Sequence, residues 1–115
     1  YVAQNGNVRI GAGTANPTKT LEVNGAIRSK EVLVEVANWS DFVFDKDYDL
    51  MTLKEVESYI KENGHLPDVP SAKEVKANGV EVGEMNAILL QKIEELTLYI
   101  IELEKKIEEV QKGGE

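Results

Sequence analysis

A heptad pattern of apolar residues in the last third of the chain constrains the fold more than any other sequence feature. From Leu89 onward the apolar residues are spaced alternately four and three apart, which is the a/d repeat of a coiled coil. Isoleucine fills three a positions, and Asn86 fills the a position before them. The predicted seam consists of Asn86, Leu89, Ile93, Leu96, Ile100, Leu103, Ile107 and Val110. Helical residues 84–112 would extend for about 43 Å.

A single helix would leave this apolar stripe in water. Burying seven such side chains at about 1.5–3 kcal/mol each contributes about 10–20 kcal/mol per chain before entropy is subtracted. We therefore expect an oligomer, either parallel or antiparallel. Isoleucine at a with leucine at d favours dimers in simple zippers, and a polar residue such as Asn86 fixes register more than number.

Composition excludes several functional classes. The 115 residues carry 13 Lys+Arg against 21 Asp+Glu, a net charge of -8, which argues against a dedicated nucleic-acid-binding protein. Cysteine is absent, so disulfides, thiolate zinc sites and a cysteine nucleophile are excluded. No apolar run has the length of a membrane span, and no signal-peptide pattern is present. Because the sequence begins with Tyr1 rather than Met, we expect it to be part of a longer protein.

Residues 1–37 predict short strands separated by turns. Apolar and polar residues alternate around Val8 and Ile10, around Leu21 and Val23, and again over residues 32–36. Asn-Gly pairs at 5–6 and 24–25 are typical of tight turns. So few apolar residues cannot offset an ordering cost of about 1–2 kcal/mol per residue. The strands therefore need a partner sheet, and three chains would close a prism without a free sheet edge.

Residues 38–83 predict two short helices in a small knob. Thr52 and Ser71 each precede a glutamate by three residues, which is the capping-box pattern. Gly64 and Gly79 follow as helix stops. Between the helices, the two prolines of residues 65–70 predict an extended segment. Trp39, Phe42, Phe44 and Tyr48 alternate with polar residues, and we expect them to form a small core with the two helices. The off-seam residues of the long helix should pack on the same helices: Leu90, Leu98, Tyr99 and Ile101.

Two motifs resemble a known family. The stretch Gly6-Asn7-Val8-Arg9-Ile10-Gly11-Ala12-Gly13-Thr14, followed by Asn16-Pro17 and Leu21-Glu22-Val23-Asn24-Gly25, resembles the repeat of trimeric phage tail fibres and related bacterial surface fibres. It departs from that repeat at Arg9 and Ala12. The segments "DFVFDKDY", "HLPDVPSAKEV" and "GEMNAILLQKIEELTLYI" closely resemble the C-terminal tail-fibre domain of many Bacteroidetes proteins.

The resemblance implies an α+β homotrimer. Its parts would be a β-prism or β-helical shaft over residues 1–37, a helical knob over 38–83 and a parallel coiled coil over 84–112 that ends at Gly113-Gly114. Val8, Ile10, Leu21 and Val23 would then join the seam residues at the interface between chains. The implied setting is a virion tail fibre, an injection-system fibre or an extracellular bacterial surface.

The sequence therefore predicts a non-enzymatic trimerisation and assembly module whose partner is a copy of itself. Two alternatives stay open. The first is a receptor-binding tip that contacts a host surface glycan or protein through knob loops, favoured if the aromatic side chains point outward. The second is a self-cleaving chaperone, because Ser40-Asp41 matches the cleaved bond of tail-spike peptidase domains. However, Asp45 stands where that motif carries its catalytic Lys, so we expect no catalytic residues.

Metal and cofactor sites are not expected. Residues 45–56 begin like an EF-hand loop but have Leu50 where glycine is required and Val56 where glutamate is required. His65 is the only histidine, so no histidine pair exists to bind zinc. Residues 11–13 are too short to form a phosphate loop, and no helix is predicted after them.

Overall fold

The computed structural model describes residues 1–13 and 16–113, so the motif residue Thr14 and the predicted helix stop at Gly114 lie outside the described residues. The chain divides into two compact units, Tyr1–Leu33 and Val34–Glu115. The elements are β1 (Val8–Ile10), β2 (Leu21–Val23), α1 (Leu53–Asn63), α2 (Ala72–Asn78) and α3 (Val82–Gly113).

The first unit contains the two predicted strands around Val8 and Leu21. They pair in parallel, with Val8 opposite Leu21 and Ile10 opposite Val23, so the backbone returns to the same direction after 13 residues (8 to 21). The predicted Asn5-Gly6 turn is confirmed: Gly6 has a φ of +88°, and Val2 forms an antiparallel bridge with Val8.

Side-chain amides stabilise the loop between the two strands. Asn7 Nδ2 donates to the carbonyl of Pro17 at 2.9 Å, and Asn24 Nδ2 donates to the carbonyl of Ala12 at 2.6 Å. Gly11 has a φ of +99° and passes so close to Asn24 that a Cβ would lie 2.9 Å from the Asn24 carbonyl oxygen. The interior of this unit is small, since Pro17 is one of its few fully buried side chains.

The predicted strand over residues 32–36 is not formed. A strand requires a neighbour that takes its backbone hydrogen bonds, and within the described residues no segment pairs with this one. Instead, Val34 and Val36 lie against Gly83 in the first turn of α3. A Cβ at Gly83 would lie 2.7 Å from Val34 Cγ1 and 3.0 Å from Val36 Cγ2, so the close approach needs glycine.

Both predicted capping boxes are confirmed. The Thr52 hydroxyl accepts from the Glu55 backbone N–H at 3.1 Å, and the Glu55 carboxylate accepts from the Thr52 backbone N–H. The same reciprocal pair forms at the start of α2. Gly64 ends α1 with a φ of +74°, and Gly79 ends α2 with a φ of +71°.

The predicted aromatic core of the knob is largely wrong for a single chain, because only Tyr48 of its four aromatic residues is half-buried. Trp39 is 54% exposed, and Phe44 is 61% exposed. Ser40 and Val43 are buried in their place. The prediction assumed an extended segment with alternating sides, but the Asp45 backbone N–H donates to the Phe42 carbonyl and closes a turn. The turn directs Val43 inward and its aromatic neighbours outward.

Candidate oligomerisation surface

Helix α3 presents the predicted heptad seam to solvent. Its 32 residues correspond to a length of about 48 Å. The seven apolar seam residues are all exposed, from 45% at Leu89 to 74% at Val110, with Ile100 at 62%. From Ile101 to Gly113 every side chain is exposed. The second half of the helix thus has no buried residue in the single chain, and its apolar stripe is open to a partner.

The first half of α3 is held by the knob. Gly83 and Ala87 are the buried residues of the helix. The off-seam Leu90, Leu98 and Tyr99 are half-buried, as the sequence predicted, whereas Ile101 stays 44% exposed. The Tyr99 hydroxyl donates to the carbonyl of Met51 just before α1. These contacts fix the helix on one side and leave the seam on another.

A polar network joins the knob loops to α3. Lys92 Nζ lies 3.2 Å from the Asp68 carboxylate and 3.0 Å from that of Glu95, and the Lys92 side chain is only 12% exposed. The Tyr48 hydroxyl donates to Glu95 and accepts from Gln91 Nε2 at 3.2 Å. Because the Glu95 side chain is only 13% exposed, its hydrogen bond with Tyr48 orients the knob more firmly than the Lys92–Asp68 ion pair, whose carboxylate is 63% exposed.

This environment raises the pKa of Tyr48, which contacts α3, and of Tyr99, which lies on α3. Burial, followed by the hydrogen bond to Glu95, raises the pKa of Tyr48 to about 12. Burial, followed by the negative charge of Glu95, also raises the pKa of Tyr99. Both hydroxyls stay protonated and act as hydrogen-bond donors over the physiological pH range.

The segment between α1 and α2, which its prolines predicted to be extended, contains a tight turn. The Val69 backbone N–H donates to the Leu66 carbonyl at 3.3 Å, and Asp68 has a φ of +66°. Proline at the first central position and a positive φ at the second are typical of a type II turn. The ion pair with Lys92 holds the unusual backbone of Asp68 against α3.

Two clefts flank α3 where the start of α1 approaches it. One has a volume of about 370 Å³ and the other of about 480 Å³, and Met51, Leu53 and Tyr99 line both. The seam residue Leu96 lines the first cleft, and the seam residue Leu103 lines the second. The clefts therefore open beside the heptad seam.

Ser40 has a partner that its local sequence does not reveal. Its hydroxyl is buried and donates to Glu94 Oε1 at 2.7 Å. Glu94 is 54 residues away, and only the packing of residues 38–43 on α3 brings the two together. A carboxylate at this distance satisfies a buried hydroxyl, but it is not the Lys of a Ser-Lys dyad. The contact anchors the segment before the knob to the helix.

The remaining predicted interface residues lie in the first unit and on α3. Ile10 and Leu21 are 57% and 56% exposed, and Val8 and Val23 are half-buried. Asn86 is exposed on α3. Across residues 1–13 and 16–113, no three potential metal-binding side chains come together, and no helix is both long and apolar enough to span a membrane.

Comparisons with known proteins add no relative: no protein-family model matches this chain, and neither do any curated protein or solved structure.

Proposed function

We propose that this chain is a homotrimerisation module at the end of a fibrous protein, a tail fibre or surface adhesin, that registers three chains and caps their shaft. The observation that carries the proposal is the exposed seam of α3. Six apolar residues from Ile93 to Val110 repeat at heptad spacing, and each exposes 49% or more of its surface. A partner helix bearing the same repeat would cover them.

The surface area of the chain supports association. Its accessible surface is 10027 Å². A folded monomer of 12.8 kDa would expose about 6,300 Å², and even two separate globules of the sizes of the units would expose only about 7,400 Å². The excess of roughly 3,000 Å² per chain is on the scale of obligate interfaces.

The first unit supports three chains rather than two. Its strands are only three residues long and form a two-stranded parallel sheet, and a sheet of this size is marginal by itself. Ile10 and Leu21 remain more than half exposed beside this sheet. Three copies wound about one axis would supply neighbours for both edges, in keeping with the resemblance of this segment to trimeric fibre repeats.

Sedimentation equilibrium tests the proposal directly. We expect a mass of about 38 kDa at micromolar concentration, three times the chain mass of 12.8 kDa. A folded species of 12.8 kDa would refute oligomerisation. A species of twice the chain mass would agree with association through the seam but would refute the trimer.

A receptor-binding tip is the second candidate function, and the outward aromatics favour it. Trp39 and Phe44 expose more than half of their surfaces, and aromatic faces stack on sugar rings and on other apolar surfaces. Trp39→Ala and Phe44→Ala separate the two roles. If the aromatics form a binding tip, the variants keep the oligomer but lose retention on a glycan array. If they lie between chains, the variants weaken the oligomer.

A further inference from the structure

Three leucines form an apolar surface that the heptad alone does not explain. Leu96 and Leu103 are successive d residues of the seam, whereas Leu53 is the first residue of α1. Leu53 lines both clefts, and each cleft contains one of the two seam leucines. The three side chains are exposed to nearly the same extent, at 57%, 56% and 55% for Leu53, Leu96 and Leu103. A partner that covers the seam at Leu96 and Leu103 would therefore also contact Leu53.

A second copy of the chain is the occupant that these observations favour. The clefts are continuous with the seam through Leu96 and Leu103, and they lie along the helix rather than at a loop tip. A helix that packs on the seam covers both clefts at once, which a small molecule in either cleft would not do.

Heptad geometry indicates which residues of the second copy would enter. With Ile93 and Ile100 at a, Lys92, Tyr99 and Lys106 occupy successive g positions, and all three line the clefts. In a parallel coiled coil, the g residues of one helix face the e residues of its neighbour. The e positions of this helix include Thr97 and Glu104.

We propose that α3 of a second copy docks, in parallel, between α3 and the start of α1, so that Leu53 forms a third wall of the interface and the partner's Glu104 faces the larger cleft. This inference rests on the proposed oligomerisation, and it adds the start of α1 to the interface formed by the α3 seam. The knob of each chain would then pack directly against α3 of a neighbouring chain.

Charge supports this orientation. Lys54, Lys106 and Glu102 line the larger cleft, and because Glu102 pairs with Lys106 at 3.3 Å, Lys54 gives the cleft a net positive charge. A carboxylate from the partner's Glu104 would bring opposite charge to this cleft. An antiparallel neighbour would instead bring its own g residues, which include two lysines.

The first experiment compares two aliphatic truncations on α1. Leu53→Ala removes the proposed third wall, whereas Ile60→Ala removes a side chain that is 42% exposed on the same helix and lines neither cleft. By sedimentation equilibrium, we expect Leu53→Ala to raise the half-dissociation concentration of the full chain by about 10- to 50-fold, since three copies each lose buried area. We expect a smaller rise for Ile60→Ala, which removes packing within the knob but no contact in either cleft. Helical circular dichroism of both variants at high concentration checks that the knob still folds.

The second experiment uses the absence of cysteine from the chain. A Leu53→Cys chain and a Glu104→Cys chain, one of them carrying a mass tag, are refolded together and oxidised. We expect a disulfide-linked dimer that contains one chain of each mass. Ile60→Cys mixed with Glu104→Cys is the matched control, and it should give little of that product.

The outcomes separate this inference from the function on which it rests. A monomeric wild-type chain would overturn both. An oligomeric wild type with equal effects of Leu53→Ala and Ile60→Ala, or with equal cross-linking of the two cysteine pairs, would overturn the docking surface and leave the trimerisation module intact. Preferential cross-linking at Leu53 together with loss of oligomer in Leu53→Ala would support it.

Discussion

Replacing Ile100 with aspartate tests whether the α3 seam drives both association and folding. Ile100 lies at an a position near the middle of the seam and exposes 62% of its surface. Complete burial of an isoleucine contributes about 1.5–3 kcal/mol, so covering the exposed part contributes about 1–2 kcal/mol per chain and about 3–6 kcal/mol per trimer. The substitution removes this contribution from every copy.

The substitution also places three carboxylates in one layer of the coiled coil. Each unpaired buried charge costs several kcal/mol, so the total loss is on the order of 10 kcal/mol per trimer. At 1.4 kcal/mol per factor of ten, the trimer dissociation constant rises by about 10⁷ and the half-dissociation concentration by its square root, roughly 10³-fold. We therefore expect Ile100→Asp to be monomeric at micromolar concentration.

Ile101→Asp is the matched control, because it makes the same change one residue away at an exposed position off the seam. Sedimentation equilibrium measures association. Hydrogen exchange at the backbone N–H groups of Val8 and Asn24, which donate to Thr20 and Ile10, measures whether the first unit stays folded. If Ile100→Asp associates like the wild type, or if Ile101→Asp dissociates equally, the seam assignment is wrong. If the monomeric variant keeps its exchange protection, association does not nucleate the shaft.

Three further substitutions test the contacts within the chain. Gly83→Ala would bring a Cβ to 2.7 Å from Val34, and a net loss of about 1 kcal/mol is expected because overpacking outweighs the better helix propensity; a higher melting temperature would contradict this. Tyr48→Phe should remove the component of the tyrosine absorbance titration at 295 nm that is centred near pH 12, and the raised component of Tyr99 should remain. Because the folded pKa is raised, the contribution of Tyr48 to stability is complete below pH 10, declines towards pH 12 and is absent from the variant; an unchanged alkaline titration would contradict the assignment. Thr52→Ala should lower the free energy of unfolding by about 1 kcal/mol, whereas Ser58→Ala, which removes an exposed hydroxyl inside the same helix, should not lower it.

Local signals account for most of the elements that could be predicted. A capping box specifies its own geometry within four residues, so Thr52 and Ser71 place the starts of α1 and α2 correctly. The heptad repeat specifies α3 in the same way, because its period is a property of one helix. The Asn5-Gly6 turn follows from the conformational freedom of Gly6.

Contacts between distant residues account for what could not be predicted. Glu94 satisfies Ser40 from 54 residues away, and Glu95 accepts from Tyr48 across 47 residues, so neither pair leaves a local pattern. Alternation predicts that the aromatic residues are in the core, and this prediction fails where the turn Phe42–Asp45 replaces an extended segment. Of the candidate interface, the apolar seam follows from the heptad, whereas the part played by Leu53 requires the packing of α1 on α3.

The single chain has locally ordered segments but little buried core, and this implies that folding and association are one equilibrium. Helix caps and turns order each segment, yet Val43 and Ala87 are among very few buried apolar residues, so the single chain has little core to stabilise them. If three unfolded chains form one folded trimer, the melting temperature rises with chain concentration. With an unfolding enthalpy of about 0.7 kcal/mol per residue over three chains, we expect about 4 °C for each tenfold increase. Circular dichroism at 222 nm between 1 µM and 100 µM measures the shift. A melting temperature that does not change with concentration would mean that the chain folds alone, and the exposed seam would then need another explanation.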